Sequence, residues 1–112
     1  MIDINEQLER DLQDIGVDVM YYYPEALKTL PVVTYYNISE KEYASYDNTE
    51  AITYGAVQID IWVRNNPAQT GRIAAKIKEC LCNKGWVRET ALDVPSGEDG
   101  VYHRTMRFSK IF

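Results

Sequence analysis

The sequence predicts an α+β fold: a mostly antiparallel sheet of about five strands with two helices on one face, in the order α-β-β-β-α-β-β. Three observations carry that prediction. Between Tyr54 and Arg64 the odd positions Val57, Ile59, Ile61 and Val63 are apolar, while Tyr54, Gln58, Asp60, Trp62 and Arg64 are polar or amphipathic. A period of two marks a strand with one face in a core. Directly afterwards Ile73, Ile77 and Leu81 recur at i, i+4 and i+8 with Ala74 beside them, the stripe of a helix that can lie back on that strand. Near the start, Ile4, Leu8, Leu12 and Ile15 form a second such stripe.

Each element has its own local signals. Helix one is expected over Ile4–Ile15, capped by Asp3 with Glu6 three residues on, and ended by a left-handed Gly16. Its other side, with Glu6, Glu9, Arg10 and Gln13, is solvated. A short strand follows over Val17–Tyr22, and Pro24 and Pro31 bracket the connection to a second strand, Val32–Ile38, rich in β-branched and aromatic residues. From Ser39 to Glu50 the periodicity collapses, which predicts a long polar loop. Asn66, Pro67 and Gln69 read as a helix start with a capping box, and Gly85 as the stop after Cys82. Trp86–Val94 and Val101–Phe112 read as a hairpin closed by the turn Pro95–Gly100. Trp86 is expected against the helix end.

A chain of 112 residues makes one domain, 1–112, large enough to fold without a disulfide or metal. It contains no run of about 20 apolar residues, so no membrane-spanning helix is expected, and its acidic start is unlike a signal peptide. Cys80 and Cys82 diverge on the helix and are read as two reduced thiols of an intracellular protein. The net charge of −5 argues against gripping nucleic acid by its phosphates, which needs a clustered basic surface. Nine tyrosines and two tryptophans exceed what a small core needs and lean toward assembly, because these side chains favour protein interfaces.

No catalytic constellation emerges. His103 is the only histidine and no motif supplies a nucleophile for it, so it is expected at the surface. Cys80, Cys82 and His103 lack a fourth ligand and the spacing of a zinc site. There is no Gly-rich phosphate cradle and no RNA-binding aromatic motif. No cofactor or metal is expected, and no enzyme. Asp60, flanked by Gln58 and Trp62 on the side of its strand away from the core, is expected either in solvent or paired across strands, with Arg104 or Arg107 as candidate partners; the alternative is a specific contact across a subunit boundary. With no chemistry elsewhere, the candidate interface is the row Tyr54, Gln58, Asp60, Trp62 and Arg64, together with Tyr43 and Tyr46 in the polar loop.

Several stretches together resemble the tail terminator, or tail-completion, proteins of long-tailed bacteriophages and prophages. They are the leading helix, Leu30-Pro-Val-Val-Thr-Tyr35, Tyr54-Gly-Ala-Val-Gln-Ile-Asp-Ile-Trp-Val-Arg64, the helix Thr70 to Cys82 ending at Gly85-Trp86, and Tyr102-His-Arg-Thr-Met-Arg-Phe108. The likeness is one of pattern and runs over nearly the whole chain. Neck or head-closure proteins of the same virions share it. The resemblance implies a homo-hexameric ring, monomeric in solution until templated, that caps the finished tail tube and joins it to the head–tail connector protein. Its places would be the host cytoplasm during assembly and then the tail or neck of the virion. The acidic charge would suit a lumen through which DNA slips. A monomeric binding module, with an apolar pocket between helix and sheet, is the reading of a different class.

Overall fold

The computed structural model of the chain describes residues 3–21, 30–44, 51–95 and 100–112, and of residues 43, 44 and 51 the backbone alone. The elements are α1 (Ile4–Asp11), β1 (Asp18–Tyr21), β2 (Val32–Ala44), β3 (Ala51–Arg64), α2 (Pro67–Cys82), β4 (Val87–Val94) and β5 (Val101–Ile111). The strands form one sheet in the order β1-β2-β3-β5-β4. Only β1 and β2 run parallel; the other neighbours are antiparallel. The α+β architecture and the order of elements are as the sequence predicts.

Alternation in β3 builds the core. Val57, Ile59, Ile61 and Val63 are fully buried against Ile73, Ala74, Ile77 and Leu81 of α2 and Ile4 and Leu8 of α1. Met106 and Phe108 of β5 complete the same layer. Burying such aliphatic side chains contributes roughly 1.5–3 kcal/mol each, which makes this the main term holding the helices to the sheet.

Several element ends differ from expectation. Helix α1 ends at Asp11, not Ile15, although Leu12 and Ile15 stay buried. In a continuing helix the Asp11 carbonyl would accept from Ile15; here it accepts from Cys80 Sγ at 2.9 Å and Lys84 Nζ at 3.2 Å. Ile15 bonds to Leu12 instead, so the last turn tightens. Strand β2 continues through the expected loop as far as Ala44, paired with β3 as far as Ala51. A register shift between Asn37 and Ser39 breaks the alternation there, and Glu40, Lys41 and Glu42 beyond it are all exposed. A bulged strand with wet side chains carries no period of two. Strand β1 is Asp18–Tyr21 and starts one residue later than expected, while Tyr22 lies outside the described residues. Finally, Asn66 starts α2 without a side-chain cap and no capping box forms; Thr70 Oγ1 donates to the Pro67 carbonyl at 2.7 Å.

The end of α2 follows expectation closely. Trp86 N–H reaches back to the Leu81 carbonyl and Gly85 N–H to that of Cys82, with Gly85 at φ 94°. That pairing needs a left-handed residue, which glycine adopts without a Cβ penalty. It swings the Trp86 ring beneath the helices, where it is 2% exposed, meets Phe112 edge-on at 5.7 Å and donates from Nε1 to Asp11 Oδ2 at 2.9 Å. Asp11, 5% exposed, also accepts from Gln7 Nε2 at 3.1 Å. Its carboxylate and carbonyl thus tie α1 to α2 and to the start of β4.

Two predictions follow from this packing. Trp86→Phe keeps the ring but strips a donor from a buried carboxylate, so urea unfolding should show a loss of about 2 kcal/mol. Tyr35 is buried and donates from its hydroxyl to Glu9 Oε2 at 2.6 Å. Burial first, then that bond and the Glu9 charge, push its phenol well above its usual range. A raised folded-state value means the stability is complete below the unfolded value of about 10 and is lost as pH climbs beyond it. Tyr35→Phe should therefore show a shallower fall of Tm above pH ~10 than the native chain.

Candidate functional site

The face of β3 turned away from the helices lies in the middle of three strands. Register sets its side chains in rungs: Val32, Trp62 and His103; then Thr34, Asp60 and Thr105; then Tyr36, Gln58 and Arg107. Because paired residues project to the same side, each rung juxtaposes groups far apart in the chain.

These rungs lock together. The Trp62 and His103 rings stack with centroids 3.6 Å apart and planes 13° from parallel. Trp62 Nε1 donates to Thr34 Oγ1 at 3.1 Å. His103 Nε2 lies 2.7 Å from Asp60 Oδ1, and Gln58 Nε2 donates to both Asp60 oxygens at 3.4 and 3.3 Å. An ionised carboxylate only accepts, so the ring nitrogen facing it carries the proton and Nδ1 of a neutral ring remains an acceptor. Trp62, Asp60, Gln58 and His103 line an open concavity of ≈ 370 Å³ with Tyr21 and Tyr36.

Two expectations are corrected here. Asp60 is paired across strands as expected, but with His103 and not an arginine, and at 2% exposed it is not in solvent. Arg104 pairs instead with Asp93 at 3.2 Å. His103 is not a free surface residue, its side chain being only 14% exposed. Among the described residues the core occupies the space between helices and sheet, and the concavity lies on the opposite face.

Of the seven interface candidates, the structure gathers Gln58, Asp60 and Trp62 into one site. Tyr54 lies further along β3, opposite Lys41 and Ile111, and Arg64 is exposed at its other end. The backbone of Tyr43 pairs with Ile52 in β2–β3, while Tyr46 lies outside the described residues. Sequence reasoning missed His103, Thr34, Tyr36 and Tyr21 as members. The polar parity of His103 on β5 was a usable signal, but its rung partner was not, because pairing between β3 and β5 crosses the whole of α2 and β4.

A histidine held by a carboxylate is two-thirds of a hydrolase triad. The missing third is a nucleophile: among the described residues no serine or cysteine is hydrogen-bonded to His103. The described residues also hold no cluster of three or more metal-ligating side chains. What the arrangement can do is present a fixed, aromatic-walled surface with one buried carboxylate.

Against known proteins, neither a protein-family model nor a curated protein matches the chain. The fold itself is similar to that of a chain in the solved structure described as "Virion of native gene transfer agent (GTA) particle". That match covers 95% of this chain and 89% of the other, with a TM-score of 0.66 at 15% sequence identity.

Proposed function

We propose that the chain is a structural component of a phage-like particle, and within it a tail terminator or tail-completion protein. In this reading copies of the chain form a ring, a homo-hexamer, that caps the tail tube and joins it to the head-side connector. The observation that carries the reading is the shared fold over nearly the full length of both chains. Two features of the surface support it. Large apolar side chains stand exposed at Ile38 and Ile52 on the β2–β3 ribbon, at Val87 and Leu92 on β4 and at Ile111 on β5. The ribbon itself is long: 14 residues in β3 span about 45 Å. An exposed apolar edge and a projecting strand pair are what a small domain needs to contact copies of itself. The reading assigns no reaction to the chain. A neck or head-closure role in the same particle is the alternative, and the choice turns on which neighbour the ring grips.

Light scattering on the purified chain, alone and with preformed tail tubes, tests this. The expected result is a ring in solution or on the tube end, with tubes capped and joined to heads only when the chain is present. A monomer at every concentration that binds no tube overturns the ring, and binding to heads alone replaces the terminator by the head-closure role. Trp62→Ala sharpens the test. The half-buried ring is expected to cost the fold under about 3 kcal/mol while tube or ring contact is lost; a larger loss of stability makes Trp62 a core residue instead.

A further inference from the structure

We infer that the concavity on the open sheet face is a socket for an arginine side chain carried by a different protein of the particle. The inference rests on the docking role proposed above and names what one docking surface grips.

The buried carboxylate is the starting point. Asp60 is held by the Gln58 amide and the His103 ring, and no lysine or arginine among the described residues forms an ion pair with it. Sheltering a carboxylate without a permanent cation is costly, and an apolar pair would serve the sheet as well. The walls show which charge is wanted. Tyr21, Tyr36, Trp62 and His103 offer ring surfaces, and among the described residues the lining holds one carboxylate and no lysine or arginine. A cation finds aromatic faces and a negative field.

Hydrogen bonding narrows the choice further. With Nε2 of His103 turned to Asp60, Nδ1 of a neutral ring would be an acceptor. A guanidinium is flat, donor-only and stacks on aromatic rings, which an ammonium does less well. At ≈ 370 Å³ the space is at the small end for ligand sites, enough for one side chain and its stem. Charge also selects the source. A chain of net charge −5 with a carboxylate in this concavity draws a basic partner to it.

The test uses the full chain and a defined probe, N-acetyl-arginine methylamide, with the neutral citrulline analogue as its isostere. NMR of the Trp62 indole N–H and His103 ring signals is expected to show saturable shifts with the arginine probe near about 1 mM, and binding about tenfold weaker for citrulline. Asp60→Asn should remove that preference. Tyr21→Ala, at a position 55% exposed, should weaken the probe with the fold intact, and carries the test if Asp60→Asn fails to fold. Equal binding of the two probes, or shifts that neither variant changes, overturns the socket. If the arginine probe dissolves an oligomer of the chain, the occupant is a second copy and the assignment to another protein is wrong. Loss of tube and head binding by the native chain would remove the docking role without touching the probe result. Intact docking with no probe binding would remove only the socket.

Discussion

Strand β3 is committed on both of its faces, and the rest of the molecule follows from that. Its odd residues are sealed beneath α1 and α2, while Asp60 and Trp62 on the even side are engaged by Thr34 and His103. A slip of one residue would put Asp60 into the aliphatic layer and Ile59 or Ile61 on the polar face. The penalty is a carboxylate without partners in an apolar core on one side and lost burial on the other. Pairing of β2 and β5 with β3 is therefore specified twice, by oil and by hydrogen bonds.

The helix layer has a comparable anchor in Asp11. A carboxylate so enclosed is tolerated because Trp86 and Gln7 donate to it, and because its own carbonyl is drawn off by Cys80 and Lys84. Those bonds explain why α1 stops where it does. They also explain why the chain turns sharply at Gly85 and delivers Trp86 inward. Lys110 extends the arrangement, donating to the Lys84 carbonyl at 2.7 Å while its ammonium lies 5.3 Å from the Phe112 ring centre. Helix, turn and closing strand are thus joined through one corner of the molecule.

A sheet with a preformed polar network on one face and helices on the other is suited to binding. Rigid aromatic side chains supply contact area at little entropic cost, and a locked His–Asp pair keeps its geometry before a partner arrives. The two kinds of surface have different tasks in the proposed role. The exposed apolar edges fit contact between copies, and the acidic, ring-lined concavity fits a basic partner of another kind.

What the sequence determined by itself was everything that local periodicity encodes. The order of elements, the buried stripes of both helices, the core face of β3 and the left-handed glycines after each helix were legible, because a period of 3.6 or 2 and a missing Cβ act on neighbouring residues. The outward row of β3 was legible as a row, with Gln58, Asp60 and Trp62 in it. Register between distant strands was decided only in three dimensions. It set His103 against Asp60 and Trp62 and turned an expected surface charge into a buried pair. Competition for backbone groups was also tertiary: the Asp11 carbonyl shortened α1, and the bulge at Asn37–Ser39 hid six further residues of β2 behind a broken alternation. Pairing energy between segments some 40 residues apart leaves no trace in the spacing of either segment alone, and that is why the site had to be seen folded.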